Sequence, residues 1–440
     1  MSAKNKRREP AEITIDSLSH DGRGVGRDSN GKVTFIDYAL PGERVLYQPL
    51  RGKKGYGLGT TIKVLEAAKN RIEPKCKYFG TCGGCSLQHL GSKDQISAKQ
   101  DQLISNLEKI GHVQAKTVLA PMQRDTWGYR RKARLGVRDV EKKGALLIGF
   151  REKNSSFVTD MNNCEVLHPD IAKHIPALTE ALQKVSSRKR IPQVEVAQGD
   201  NGVIMIIRHL EPLSNTDLAL LSHFAEVAGI ALYLQPGNID SVHPLYPTEG
   251  LELIYRHQGF NTEMTFKATD FIQVNGSINE ALITQACSIL DSQLGEAVLD
   301  LFCGLGNFTL PLARSGATVV GVEANADLIN RAKLNAAKNQ LNNVTFHLGD
   351  LFIENVQHVW TNRTYDKVLL DPPRSGAFEM CKRMNDFAPK RIVYISCNPA
   401  TLARDADILV NTHGYKFKQT GVIDMFPHTA HVESIAVFES

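Results

Sequence analysis

The sequence predicts a chain of three parts: an N-terminal all-β barrel, a central α+β segment, and a C-terminal α/β domain on a doubly wound parallel sheet. Three observations predict it. Residues 12–65 break into short β runs separated by glycine-rich turns. From about residue 266, near-continuous apolar runs alternate with helical segments, the pattern of a sheet covered on both faces. The length of 440 residues, at roughly 150 residues per domain, allows about three domains.

Composition narrows the class. With 42% hydrophobic and 22% charged residues the chain can bury several cores, which excludes a disordered or fibrous protein. No apolar run approaches the roughly 18 residues of a membrane helix. The start, MSAKNKRREP, is basic but is followed by no apolar stretch, so a cytoplasmic protein without a signal peptide is expected. The net charge of +5 is unevenly spread. Residues 1–70 hold 13 Lys/Arg against 8 Asp/Glu, and residues 124–153 hold 10 against 4. Such local excesses suit a polyanionic partner such as a nucleic acid, and equally a solvated charged face.

Taken in order, residues 1–9 are a basic tail and 10–68 the barrel. Its strands are read in EITIDSL, KVTFIDYAL, ERVLYQPL and GTTIKVLE, with DGRGVGRDSNG, PGE and RGKKGYGLG as turns. Residues 69–265 form the central α+β domain. It opens with a cysteine-bearing loop at 74–89, PKCKYFGTCGGCSLQH, and a helix over about 92–110 with apolar residues at helical spacing. Its strands are YRRKARLGVR, GALLIGFRE, VEVAQG, GVIMIIRHL, IALYLQ and LELIYRHQG. Residues 266–440 carry AVLDLFCG, ATVVGVEAN, VTFHLGD, KVLLDPPR and RIVYISCN as parallel strands. Gly22-Arg23-Gly24-Val25-Gly26, then Phe35 and Ala39-Leu40-Pro41-Gly42-Glu43, resemble the TRAM domain, an OB-like RNA-binding barrel.

The strand Val298–Leu301 runs into Phe302-Cys303-Gly304-Leu305-Gly306-Asn307-Phe308, and a helix, FTLPLARSG, follows. Glycines there let a ligand approach the backbone at the carboxyl edge of the sheet. Glu323 ends the next strand 19 residues after Gly304, a spacing that suits an acid accepting ribose hydroxyls. A dinucleotide fingerprint needs Gly or Ala at position 309, where Thr309 stands. The D-x-F-x-G-x-G-x-F run instead resembles motif I of class I, Rossmann-like methyltransferases, which bind S-adenosylmethionine. Later strand ends carry Asp350, Asp371 in DPPR and Cys397 in SCNP. The prolines of DPPR also suit a rigid turn, and that motif alone equally fits an amino-methyltransferase. A strand-end cysteine by itself is commonly a small buried hydrophobe.

Asp371-Pro372-Pro373-Arg374, Ser396-Cys397-Asn398-Pro399-Ala400-Thr401-Leu402-Ala403-Arg404-Asp405 and Asp424-Met425-Phe426-Pro427-His428-Thr429-Ala430-His431-Val432-Glu433 together resemble the RNA uracil-C5-methyltransferases. Carbon 5 of uracil is a weak nucleophile towards a methyl sulfonium. Addition of a thiolate at carbon 6 makes it an enolate carbon, and a carboxylate must later take the carbon-5 proton. Free cysteine is only a few per cent thiolate near pH 7, so the site must activate it. The resemblance implies Cys397 as nucleophile and Glu433 as base, a surface glutamate being the alternative for the latter. It implies Gln273, Phe302, Asn307, Glu323, Asp350 and Asp371 as contacts to S-adenosylmethionine. Periodicity alone reads the segment around Gln273 as a helix start. Relatives with a small residue at the second proline mark DPPR as a mild departure.

Eight cysteines without an export signal argue against a disulfide framework. Cys76, Cys82 and Cys85 cluster, but the five-residue first gap fits paired zinc ligands poorly. His89 would complete a three-Cys, one-His zinc site. The resemblance instead implies Cys164 as the fourth ligand of a [4Fe–4S] cluster. Methyl transfer needs no electron, so a structural or RNA-positioning role is expected of it. Barrel and cysteines together imply the family type acting on uracil 1939 of 23S ribosomal RNA. In this reading tRNA enzymes lack both features, and a related ribosomal enzyme has the cysteines without the barrel. A monomer is expected. The alternatives are methylation of another rRNA or tRNA uracil, and an inactive RNA-binding iron–sulfur protein.

Overall fold

The computed structural model describes residues 9–50, 54–354 and 358–440. Two compact units are present: Met1–Gln102 with Arg151–Phe157 and Phe426–His431, and Leu103–Phe150 with Val158–Met425 and Val432–Ser440. The basic residues of the tail through Arg8, and Arg51, Gly52 and Lys53 of the barrel turn, lie outside the described residues.

The first unit holds a six-stranded sheet in the order Ala11–Thr14, Arg44–Pro49, Gly57–Glu66, Val33–Asp37, Gly24–Arg27, Ser17–Leu18. Alternation buries Ile13, Ile15, Ile36, Val45 and Tyr47 in one core with Ala39. The strand Gly24–Arg27 falls within what sequence reading takes as a turn. A Cβ at Gly24 would stand 2.8 Å from Ile15 Cγ2, and one at Gly26 2.2 Å from the Thr14 carbonyl. These glycines permit strands to approach closely, so their abundance does not mark a loop here.

Glu43 of the Ala-Leu-Pro-Gly-Glu run is fully buried. It accepts from Leu40 N at 2.9 Å, Ala68 N at 3.2 Å, and Arg71 Nε and Nη2 at 2.5 and 2.8 Å. Burial pushes its carboxyl upward, but the Arg71 hydrogen bond and the two amides outweigh it and hold the group below its ordinary value. The cysteine loop is tied to the Arg151–Phe157 segment by Gly83 N to Arg151 O at 2.9 Å and Lys153 N to Thr81 O at 3.0 Å.

The second unit holds two large sheets. The first has the order His243–Tyr246, Ala231–Gln235, Gly202–Arg208, Gln193–Gly199, Lys132–Val140, Ala145–Gly149. The second runs Val344–Leu348, Thr318–Glu323, Ala297–Leu301, Lys367–Leu370, Arg391–Ser396, Glu433–Glu439, Lys416–Ile423, Thr117–Val118. The five strands ending at Arg391–Ser396 are parallel, and Glu433–Glu439 is antiparallel to both neighbours. Thr117–Val118 and Lys416–Ile423 are strands that the sequence reading does not single out. Ala297–Leu301 lies between strands that follow it in sequence on either side, so a ligand crevice is expected outside its carboxyl end. The expected helix near 92–110 is observed as Ser92–Lys109. No helix of the described residues is long and apolar enough to cross a membrane.

Candidate active site

The glycine turn is shaped by backbone conformation. Phe302, Gly304 and Gly306 have φ of +66°, +55° and +97°, and the helix Thr309–Ala313 follows. Phe302 N and Cys303 N both donate to the Val322 carbonyl, at 2.9 and 3.1 Å. A Cβ at Gly304 would meet no atom within 4 Å, so this face of the turn opens onto free space. The buried Thr309 hydroxyl donates to Asp300. A glycine there would leave that carboxylate without this partner, which accounts physically for the departure from a dinucleotide fingerprint. Burial, with Asp371 and Glu323 nearby, pushes the Asp300 carboxyl up to about 7.

The sequence-identified residues are distributed around this turn. Glu323 accepts from Gly304 N at 3.3 Å and from Asn325 N at 3.0 Å, which orients its carboxylate beside the open face. Asn307 and Asn279 exchange two amide hydrogen bonds of 3.1 and 3.0 Å, and Tyr255 donates to Asn307 at 3.1 Å. Asp350 is exposed beyond the Val344–Leu348 strand and accepts from Phe352 N at 2.9 Å. The Phe302 and Phe352 rings pack at 5.6 Å. Gln273 precedes the helix Gly276–Leu290 and lines a cavity of about 360 Å³ shared with Tyr255 and Asn279. An open glycine cradle flanked by carboxylates and amides is a donor set that fits a ribose-bearing, cationic cofactor. Sequence reasoning missed Asn279 and Tyr255, since a polar residue on an apolar helix and a strand tyrosine carry no motif.

Asp371, Cys397 and Glu433 meet at the carboxyl edge of the same sheet. Leu301 pairs with Leu370, and Asp371 N donates to the Leu301 carbonyl at 3.3 Å. Ser396 pairs with Ser434 in the final rung between their strands, so the next residues outward are Cys397 and Glu433. Glu433 is buried. It is therefore not the surface glutamate of the alternative reading. Burial pushes the Cys397 thiol up to about 12; Glu433 and then Asp371 add to this, and Arg374 acts against it. Burial also pushes Asp371 up to about 7.

The helix Pro399–Asp407 clamps the DPPR loop. Asn398 caps it by accepting from Ala400 N at 3.1 Å, and donates to the Arg374 carbonyl at 3.0 Å. Thr401 reaches the same carbonyl at 3.2 Å. Asp405, fully buried, accepts from Ala377 N and from the Tyr394 hydroxyl, both at 2.7 Å, and pairs with Arg404. Most polar residues of the SCNPATLARD run thus hold the loop that carries Asp371 and Arg374.

Cys76, Cys82 and Cys85 are half-buried in the first unit, and Cys164 is buried in the second. Gly84 N donates to Cys82 Sγ at 3.4 Å. His89 is enclosed, with Phe79 and Tyr38 ring centroids 5.3 and 6.3 Å away. Among the described residues no group of three or more His, Cys, Asp or Glu side chains is arranged to hold a metal ion.

Comparison with known proteins follows this geometry. The family model for tRNA (uracil-5-)-methyltransferase matches residues 249–440, and that for the TRAM domain matches 4–60. Proteins called 23S rRNA (uracil(1939)-C(5))-methyltransferase RlmD, from Xanthomonas campestris pv. campestris (strain 8004) and Stenotrophomonas maltophilia (strain R551-3), are 49% and 48% identical to this chain. Each match covers 98% of both partners. The crystal structure of Pyrococcus abyssi tRNA (uracil-54, C5)-methyltransferase in complex with S-adenosyl-L-homocysteine has the same fold. Its TM-score is 0.75 at 23% identity, covering 97% of this chain and all of that one. A tRNA enzyme therefore spans the whole architecture, which corrects the expectation that the barrel separates ribosomal from tRNA enzymes. The chain belongs to the RNA uracil-C5-methyltransferase family.

Proposed function

We propose that this member of the uracil-C5-methyltransferases methylates carbon 5 of a uracil in 23S ribosomal RNA, of the uracil-1939 type, using S-adenosylmethionine. The observation that carries the chemistry is the opposition of Cys397 and Glu433 at the end of one strand pair, beside Asp371. The RNA target rests on relatives of that name, near half identical over almost the full length. A cytoplasmic site of action and a monomeric enzyme fit this reading.

When bound, S-adenosylmethionine supplies an electrophilic methyl group. Glu323, Asp350 and Asn307, with Phe302, Gln273 and Asp371, hold and orient it at the glycine turn. Cys397 Sγ gives up its proton to water and adds to carbon 6 of uracil, and the displaced ring electrons make carbon 5 nucleophilic. Carbon 5 takes the methyl group as the S–CH3 bond breaks and its electron pair leaves with the thioether product, and Glu433 then takes the carbon-5 proton. The carbon–sulfur bond then breaks and the thiolate departs. Burial and two carboxyl groups disfavour the thiolate, and Arg374 is a cation that favours it.

Cys76, Cys82, Cys85 and Cys164 belong in this reading to a [4Fe–4S] cluster of structural or RNA-positioning purpose. Its support is the cysteine pattern and the family resemblance, and no catalytic step is routed through it. The deciding experiment feeds methyl-labelled S-adenosylmethionine and unmodified 23S rRNA to the purified protein and maps the product. One 5-methyluridine at the 1939-type position is expected. Label in tRNA only, or none in any RNA, overturns the assignment.

A further inference from the structure

The helix Pro399–Asp407 begins two residues after Cys397, and its polar residues meet the loop after Asp371 in order. Asn398 and Thr401 donate to the Arg374 carbonyl, Arg404 Nη2 donates to the Ser375 carbonyl at 2.9 Å, and Asp405 accepts from Ala377 N. Positions 398, 401 and 404–405 are three or four apart and so share one helix face. The loop runs along that face from the cap to the last turn. Gly376 permits the approach: its φ is +79°, and a Cβ there would stand 2.6 Å from Asp405 Oδ2 and 2.7 Å from Arg404 Nη2.

Asp405 is the buried centre of this arrangement. Its Oδ2 accepts from Ala377 N and from the Tyr394 hydroxyl, and its Oδ1 accepts from Arg404 Nε at 2.8 Å. Ala377 N also donates to the Tyr394 oxygen at 3.1 Å, which closes a triangle. Tyr394 lies on the strand Arg391–Ser396, three residues before Cys397. One carboxylate therefore joins the strand that ends at the thiol, the helix that leaves it, and the loop that carries Arg374. A fully bonded buried network holds its members in one arrangement, and supporting contacts of this kind set the geometry of a reacting group. The methyl-transfer chemistry gives Asp405 no step of its own.

We propose that Asp405 is a positioning residue for the nucleophile: it pins the loop so that the Arg374 cation bears on the Cys397 thiol. The inference rests on the reading of Cys397 as the nucleophile. Arg374 acts against burial, Glu433 and Asp371 at that thiol, and an interaction between charges weakens with distance. Loosening the loop therefore leaves the thiol harder to ionise. Removing the charge of Asp405 by itself acts in the other sense, since one anion fewer favours a thiolate. The two effects have opposite signs, so the direction of the change identifies which one operates.

The test follows iodoacetamide on the full-length protein without RNA, with the Cys397 and Cys381 peptides read separately by mass spectrometry. At pH 9, below the Cys397 value of about 12, the rate tracks the thiolate fraction. Asp405→Asn sets an amide N–H against one of the donors that now meet a carboxylate oxygen. It should slow Cys397 alkylation about three- to ten-fold, the size of coupling found within one hydrogen-bond network. Combined with Arg374→Gln it should slow it no further than Arg374→Gln alone. Cys381, fully buried and bonded through its N–H to the Ala377 carbonyl, should stay unreactive, whereas general loosening would expose both thiols. If Asp405→Asn does not fold, Thr401→Val decides: it removes one hydroxyl from the half-buried end of the same face and should slow Cys397 about two-fold. Turnover with labelled S-adenosylmethionine and 23S rRNA should fall in step, with the KM of each within about two-fold. An unchanged or faster Cys397 rate, additive losses in the double variant, a reactive Cys381 in the folded variant, or a raised RNA KM at unchanged kcat overturns the proposal. Absence of methyl transfer by the unaltered protein overturns the enzyme reading instead.

Discussion

Cys397 and Glu433 face each other one step beyond the last rung, Ser396 with Ser434, of an antiparallel strand pair. Thirty-five residues separate them in sequence, yet neither needs a loop to reach the other. A ladder sets their spacing through backbone hydrogen bonds, which is more exact than two flexible loops allow. Burial is the first reason the thiol is hard to ionise, and the opposed carboxyl group of Glu433 adds to it.

Variants of the pair should fail at different steps. Cys397→Ala should bind RNA and cofactor yet form neither adduct nor product. Glu433→Gln keeps the shape but loses the base, so methylated protein–RNA adduct should accumulate while turnover falls about 10²–10⁴-fold. Denaturing electrophoresis with labelled cofactor reads both. A fully active Cys397→Ala enzyme would falsify the nucleophile assignment.

Alkylation should report the thiol directly. With Cys397 pushed up to about 12, its iodoacetamide rate should climb ten-fold per pH unit well above pH 9, where a free cysteine of about 8.5 levels off. Arg374→Gln, removing a cation that opposes this shift, should slow it further. A plateau below pH 9 in the RNA-free protein would mean that the thiol is already activated at rest.

Glu323→Ala should act on the cofactor alone. Loss of a charged hydrogen-bond acceptor costs about 1.5–3 kcal/mol, roughly ten- to a hundred-fold in Kd. Titration calorimetry with S-adenosylhomocysteine measures it, and binding of the RNA fragment should be unchanged.

Glu43→Gln should destabilise the first unit by about 3 kcal/mol, because Arg71 then loses a buried partner. The sign of the pH dependence follows from the lowered folded-state value of Glu43. The carboxylate's contribution is full above its unfolded value and is lost as pH falls through the lower folded one. The gap in urea midpoint between the two proteins should therefore shrink below about pH 4. An equal gap at pH 7 and pH 3 would show that the ion pair is not its source.

Anaerobically purified protein should be brown and hold about four irons per chain. Cys164→Ala should lose the colour, whereas Cys381→Ala, fully buried in the sheet domain, should keep it. Stoichiometric zinc without iron would refute the cluster.

Much of the architecture was legible because it rests on local, periodic signals. The apolar runs before Phe302, Glu323, Asp371 and Cys397 end in glycine, acid or thiol, and a parallel sheet carries every such end to one edge. Sequence alone therefore determined the α/β class and the glycine turn at the carboxyl edge of the sheet. It misjudged Gly24–Arg27, since a glycine needed for close strand packing looks the same as one needed for a turn. It was silent on Thr117–Val118, too short for any period to register. Tertiary structure alone decided the rest: that Glu433 is buried opposite Cys397, and that Asp405 and Asn398 serve the Arg374 loop. Those relationships join residues tens to hundreds of positions apart, and burial, register and hydrogen-bond partners are properties of the folded chain that no local pattern encodes.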